Sequence, residues 1–383
     1  MTVSGVESIQ SNLKSHRVLV CSRKIDGRVA AGWMSPELDD PVWDNFLQGT
    51  PLGHFEQSSW WAQAKRIEGR RPIRMILTLD DQIVGGFQIL ARDTRFGGVG
   101  YIYKGPVVVP EEPALLDFLI ELVASVAKAN HLRAVIVQPA DESTIEEARL
   151  AYHRFLPNYL ASVISATLVV ELSGGLDEIK GRMRRATSSQ IRQAEERGIT
   201  IREGGEQDIG TFFSLMAATC ERQRTRPSPA TESAIREIWK AFHPHDCVRL
   251  SFAQCEGKFL AGLLCFCFGQ RVVAWKKGWS GEYGERRPNQ LLMFEAIEWS
   301  HRHGYKLFDF GGLSRDIALT LSRGEPLSES QKNSGAFFSL GYGGRPVLCT
   351  KSQVYIDNSF ARFAYKTVGA NARLRALVGN ALN

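Results

Sequence analysis

The chain contains no apolar run approaching the ~18 residues that a bilayer-spanning helix needs. Its opening, Met1 to Arg17, lacks the apolar stretch and small-residue cleavage site of a secretory signal. A cytoplasmic protein is the expectation. Its seven cysteines are an odd number without paired spacing, which argues against a disulfide framework. Cys265 and Cys267 lie two apart and would share a strand face, but no Cys-x-x-Cys partner or nearby histidine pair completes a metal site, so no metal is expected. Also missing is a Gly-x-Ser-x-Gly elbow. If the chain is an enzyme of group transfer, direct attack by the acceptor is favoured over a covalent intermediate.

What is present is ordinary globular material: 383 residues, 44% hydrophobic and 23% charged, enough for two or three domains. Part of the formal charge of +6 is concentrated between Lys180 and Arg197, where six basic residues meet only Glu195 and Glu196. Such a helix is either a solvated face or a surface for phosphate or RNA; no DNA partner is expected. A second basic cluster, Glu221-Arg-Gln-Arg-Thr-Arg226, ends a helix beginning near Gln207 and is closed by Pro227-Ser-Pro229. There arginines either fork onto phosphate oxygens or compensate the helix dipole.

The order of elements occurs twice. Ile73 to Leu79 and Val84 to Ala91 read as a hairpin turned at Asp80-Asp81-Gln82. An aromatic strand follows from Gly100 to Val109, then a helix from Pro113 to Asn130 and a strand from Ala134 to Gln138. Val248 to Gln254 and Phe259 to Phe268 repeat the hairpin around Cys255-Glu-Gly-Lys258. Val272 to Trp279, a helix from Asn289 to His303 and the strand Lys306 to Phe310 complete the copy. The glycine pairs Gly85-Gly86 and Gly97-Gly98 read as strand turns. A duplicated α/β unit implies a cleft between halves. In the strand Ala274 to Trp279, alternation puts Trp275, Lys277 and Trp279 on one face, suited to a sugar or nucleotide or else packed in the core. The segment Ala361 to Leu382 has the pattern of a basic amphipathic helix that either docks on the first domain or touches an anionic membrane.

These residues resemble a known family. Gln57-Ser-Ser-Trp-Trp61-Ala-Gln-Ala-Lys65 is similar to the Fem-type Gln-Ser-x-x-Trp-x-x-x-Lys opening, and Tyr101-Ile-Tyr-Lys-Gly-Pro106 to its Tyr-x-Pro-Arg-Gly-Pro strand end. The stretch Arg182 to Ile199 resembles its basic helix followed by glycine and a strand. Thr219-Cys-Glu-Arg222 resembles its Thr-x-x-Arg, and Phe308-Asp-Phe-Gly-Gly312 its Asp-Phe-Gly-Gly strand. The family is the Fem-type peptidoglycan aminoacyltransferases, with the Fem-like branch of the GCN5-related N-acyltransferase (GNAT) superfamily.

The resemblance implies an α/β (α+β) chain of two GNAT-like domains in tandem with mixed, mostly antiparallel sheets. It places them at about 1–165 and 166–349, with 350–383 returning to the first. No sustained heptad pattern lies between Gly198 and Pro288, so the compact form without a coiled-coil arm is expected. It further implies an acyltransferase that forms an amide on a cell-envelope precursor, nucleotide- or lipid-linked, with aminoacyl-tRNA as donor and no tightly bound cofactor. An acyl-CoA-dependent N-acyltransferase acting on an amino sugar and a non-catalytic glycan- or nucleotide-binding scaffold are the alternatives. Lys65 and Arg222 match positions that hold the nucleotide diphosphate, and Tyr101 and Tyr103 lie where the muropeptide is contacted. Lys104, Trp275 and Lys277 complete the candidate substrate contacts.

Asp309 is a candidate orienting or proton-accepting group, with capping of the glycine turn as its alternative role. The late motif Phe338-Ser-Leu-Gly-Tyr342-Gly-Gly344 has Ser339 where the family's carbonyl-polarising lysine would stand, so Phe338 and Ser339 mark the expected catalytic position. Lys332, Lys276 and Lys277 are candidates to substitute for it. Arg287-Pro-Asn-Gln-Leu-Leu292 replaces the glycines of an ordinary coenzyme A cradle with leucines.

Overall fold

The hairpin expected at Asp80-Asp81 forms, and both residues have positive φ, 47° and 64°, the conformation that a two-residue turn between twisted strands requires and that aspartate tolerates. The computed structural model describes residues 16–95, 97–159 and 163–370. The chain divides into two units, Met1–Val163 with Cys349–Asn383, and Ile164–Leu348.

The first unit contains β1 (Val18–Ile25), β2 (Arg28–Ser35), β3 (Arg71–Leu79), β4 (Gln82–Thr94), β5 (Gly97–Tyr103), the short β6 (Val107–Val108), β7 (Leu132–Gln138) and β8 (Leu156–Pro157). The second contains β9 (Ala166–Glu171), β10 (Thr200–Gly204), β11 (Val248–Cys255), β12 (Lys258–Phe268), β13 (Arg271–Trp279), β14 (Leu307–Asp309) and β15 (Arg345–Leu348); β16 (Gln353–Ile356) then rejoins the first unit. The sheet orders are β1-β2-β3-β4-β5-β7-β16-β8, with β6 beside β4, and β10-β11-β12-β13-β14-β9-β15. In each unit an antiparallel meander ends in one parallel pair, β5 with β7 and β13 with β14. The intervening helix in each, Pro113–Ala129 or Pro288–Arg302, supplies the crossover that a parallel pair needs.

Both helices begin with proline at a position whose N–H would be orphaned anyway. In the first, Leu115, Leu119, Leu122 and Val126 recur at three and four and are buried on the sheet, each worth about 1.5–3 kcal/mol when removed from water. In the second, Leu291, Phe294 and Ile297 pack with Cys265, Cys267 and Val272. The two cysteines do share a face, but it is the core, where burial raises the Cys265 thiol to about 12. The helices Ile209–Arg222 and Glu232–Phe242, fourteen and eleven residues long, are the longest between Gly198 and Pro288, so no coiled-coil arm occurs there.

Several elements differ from expectation. The aromatic strand does not run to Val109: Lys104 has φ 54° and breaks it after Tyr103. Gly85 and Gly86 are not a turn; they lie inside β4, where a Cβ on Gly85 would stand 2.4 Å from the Val107 carbonyl oxygen. The basic helix is two helices, Leu176–Arg182 and Arg185–Glu196, because Met183 turns extended to bury its side chain. Gly343 (φ 76°) explains how the chain passes there, since a Cβ would meet the Arg182 carbonyl oxygen at 2.5 Å. The C-terminal helix spans Ser359–Ala370, and the remainder of the segment expected to be helical, 371–382, lies outside the described residues.

Candidate functional site

In the first unit, Ser58 caps the helix Ser59–Lys65 by accepting from the Trp61 N–H, and Lys65 leaves from its last turn. The Lys65 ammonium lies 4.5 Å from the centroid of the Trp61 ring and 2.5 Å from Glu68. Gly69 (φ 71°) turns the chain into Arg70, whose guanidinium lies 4.7 Å over the Tyr101 ring. Tyr101 and Tyr103, two apart on β5, share a face with ring centroids 5.6 Å apart. Burial pushes the Tyr103 hydroxyl above its ordinary range, with Tyr101 and Glu56 adding to it. Arg70 escaped the sequence reading. Its Nη1 is buried without a hydrogen-bond partner, a costly state for a charged donor, and the local signal was only a second arginine after Glu68-Gly69.

Lys104, by contrast, is not a surface contact. It is 6% exposed and donates to Asp141 at 2.6 Å. Burial pulls its pKa down, but Asp141 and Cys349 more than reverse this, leaving the ammonium held above its usual range.

In the second unit the parallel ladder of β13 and β14 ends at Val273–Asp309, while β13 runs on to Trp279. The chain after β14 stays with β9: the Phe310 N–H reaches the Leu168 carbonyl and the Leu313 N–H that of Ala166. The strands therefore part at their C-terminal ends, the place where open α/β sheets hold ligands. Asp309, 3% exposed, stands at the fork. Its carboxylate accepts from Thr167, from Arg271 at 2.9 Å and from the Gly311 N–H at 2.8 Å. All of these contacts tie strands and turn together, so the geometry gives Asp309 the capping role and not that of a free base.

A bulge corrects the expected alternation in β13. Leu264 faces Lys276 but Cys265 faces Ala274, so Trp275 is the extra residue. Trp275 packs on Phe266, 5.2 Å between ring centroids, whereas Trp279 packs on the opposite core with Phe338. The Lys277 ammonium lies 4.8 Å over the Phe338 ring, and crowding by protein lowers its pKa. Arg222 donates to the Ser280 carbonyl at 2.9 Å and to that of Trp279. It fastens the end of β13 to the helix Ile209–Arg222.

Next to Phe338 lies a cavity of about 260 Å³ lined by Arg184, Thr187, Gln290, Lys332 and Tyr342 among others. Arg184 stacks 3.9 Å over Phe337, and burial lowers its pKa. The cavity is cationic and aromatic, as a phosphate-bearing ligand with a base or acyl end would require. Larger hollows of about 670 and 400 Å³ in the first unit, around Asp117 and Tyr152, contain none of the residues singled out above.

An ordinary coenzyme A cradle is not built at the helix Pro288–Arg302. Its first residue has no N–H, Leu291 and Leu292 turn into the core, and the Tyr342 hydroxyl donates to the Gln290 carbonyl at 3.0 Å. A pyrophosphate needs glycines there so that several main-chain N–H groups can approach. Among the described residues no cluster of metal-ligating side chains occurs.

The comparisons with known proteins agree with this architecture. Residues 38–149 match the FemAB family, and residues 181–316 match the acetyltransferase (GNAT) domain family. The crystal structure of FemX superposes with a TM-score of 0.71 at 18% identity, covering 85% of this chain and 97% of that one. Over these two stretches the chain is similar to Fem-type and GNAT acyltransferases, and its fold is GNAT-like, as in FemX. Among curated proteins it is 21% identical to the lipid II:glycine glycyltransferase of Staphylococcus saprophyticus, over 72% of this chain and 83% of the relative. The enzyme of the same name from Staphylococcus aureus (strain MRSA252) is 26% identical over 71% and 83% respectively.

Proposed function

We propose that this protein transfers an aminoacyl group from an aminoacyl-tRNA to an amine of a lipid-linked peptidoglycan precursor at the cytoplasmic face of the membrane. The observation that carries the reading is the fork between β13 and β14 beside a cavity lined by Arg184 and Lys332, in a chain similar over most of its length to lipid II:glycine glycyltransferases. Transfer from an ester to an amine requires alignment of the two and donors aimed at the carbonyl oxygen. The cationic cavity suits the phosphates of an RNA 3′ end, and the missing coenzyme A cradle favours an RNA-borne ester over a thioester. The test is to incubate the purified protein with aminoacyl-tRNA and lipid II and look by mass spectrometry for the precursor heavier by one aminoacyl residue. Acylation only from acyl-CoA, or no product, would reject the reading.

Arg70, with its unpartnered Nη1 over Tyr101, is assigned to an anionic group of the acceptor. A charge-assisted hydrogen bond is worth about 1.5–3 kcal/mol, so Arg70→Ala is expected to raise the acceptor KM roughly 10- to 100-fold with kcat little changed. A KM equal to that of the wild type would remove Arg70 from the acceptor site.

No helix among the described residues is long and apolar enough to cross a membrane. A lipid-linked acceptor would instead be met at the surface, and the helix Ser359–Ala370 presents Phe360 (81% exposed) and Phe363 (70% exposed), one turn apart, with Lys366 exposed in the next turn. Phe360→Ser/Phe363→Ser should reduce co-sedimentation with anionic phospholipid vesicles severalfold. Undiminished sedimentation would show that this helix is not the contact.

A further inference from the structure

We infer that Lys277 is the cation that stabilises the tetrahedral oxyanion of acyl transfer in this chain, acting from β13 beside the position that Ser339 leaves neutral; the inference rests on the aminoacyl-transfer reading above. Four observations carry it. Lys277 leaves β13 beyond the point where β13 and β14 part. Its ammonium lies 4.8 Å over the ring of Phe338, the residue next to Ser339 and a wall of the cationic cavity. The side chain is open to solvent, so a substrate can reach it. Among the described residues no carboxylate forms an ion pair with it, whereas Lys65, Lys104, Lys240, Lys332 and Lys351 each have one.

An ordinary solvated lysine would satisfy the third and fourth observations, as Lys128 and Lys258 do, but not the first two. Protein crowding lowers the Lys277 pKa although the side chain still reaches solvent, and the face of the Phe338 ring adds about 0.5–1 kcal/mol, as at other exposed cation–π sites. Such a cation has no fixed counter-ion to leave before it meets an anion, which suits preorganised transition-state stabilisation. Ser339 offers only a neutral hydroxyl, a poorer partner for an oxyanion than an ammonium.

In the reaction, the acceptor amine nitrogen forms a bond to the carbonyl carbon of the aminoacyl ester, and the C=O π pair moves onto oxygen. Lys277 donates a hydrogen bond to that oxyanion and keeps its proton throughout. When the pair returns, the bond from the carbonyl carbon to the ribose oxygen breaks. The proton lost by the attacking nitrogen ends on that oxygen, leaving an amide and a free RNA hydroxyl.

Removing one oxyanion donor typically costs about 10²–10³ in kcat. Lys277→Ala should therefore lower kcat by that factor and leave both KM values within about threefold and the Tm unchanged. Lys258→Ala, in the β11–β12 turn, should behave as wild type. Lys277→Ala/Ser339→Lys should recover at least tenfold over the single variant, because the restored ammonium would again flank Phe338. If the wild-type chain transfers no aminoacyl group to lipid II, the underlying reading falls. If it does and Lys277→Ala is equally active, only the lysine assignment falls. A loss confined to KM also overturns it, since that would make Lys277 a binding contact.

Discussion

Lys104→Ala is expected to destabilise the first unit by about 3–5 kcal/mol, because it leaves the Asp141 carboxylate buried without its counter-ion. Both side chains are almost fully buried, and the Lys104 ammonium also lies 3.6 Å from the Cys349 sulfur. The loss should appear as a lower urea midpoint with an unchanged m-value. The double variant Lys104→Met/Asp141→Leu should recover most of it, since removing both charges also removes the cost of burying them. A Lys104→Ala protein of wild-type stability that bound acceptor poorly would reverse this assignment and return Lys104 to the substrate surface.

The second large effect is on pH dependence. Asp44, 0% exposed, has its pKa raised from 3.8 to about 7 by burial, against the lowering pull of hydrogen bonds from Ser59 and the charge of Arg74, while Asp40 adds to the rise. The folded state thus holds the proton more tightly than the unfolded state. The corresponding stability is fully present below about pH 4 and is lost as pH rises through 7, in total about 4 kcal/mol. Asp44→Asn removes this dependence: the variant should be more stable than wild type at pH 8 by a few kcal/mol. At pH 5 it should be equal or slightly weaker, because the carboxylate oxygens that accept from the Ser59 N–H and hydroxyl are altered. Urea midpoints at the two pH values decide it. A constant difference between variant and wild type would mean that Asp44 is ionised throughout.

Period and turn chemistry were legible because they are local. Leu115, Leu119, Leu122 and Val126 mark a helix whatever it packs on, and Glu256-Gly257, with φ 51° and 75°, marks a hairpin whatever follows. Side-chain roles were less legible because partners come from far along the chain. Lys104 looks like a free cation until Asp141, 37 residues later, is seen beside it. Trp275 and Lys277 look like neighbours on one face until the bulge opposite Leu264 and Cys265 separates them. Asp309 looks like a base until Thr167, 142 residues earlier in sequence but on the neighbouring strand β9, is found on its carboxylate.

The residues by themselves determined the duplicated order of strands and helices, the two hairpins, the short helices where an arm would be, and the neutral Ser339 in the late motif. Each depends on propensity, spacing or chain chemistry within a few residues. Only the tertiary structure decided which charges are buried and paired, where the parallel strands part, and which lysine stands unpaired beside Phe338. Those outcomes depend on desolvation and on contacts between residues tens to hundreds of positions apart, and neither is written in any local stretch of the chain.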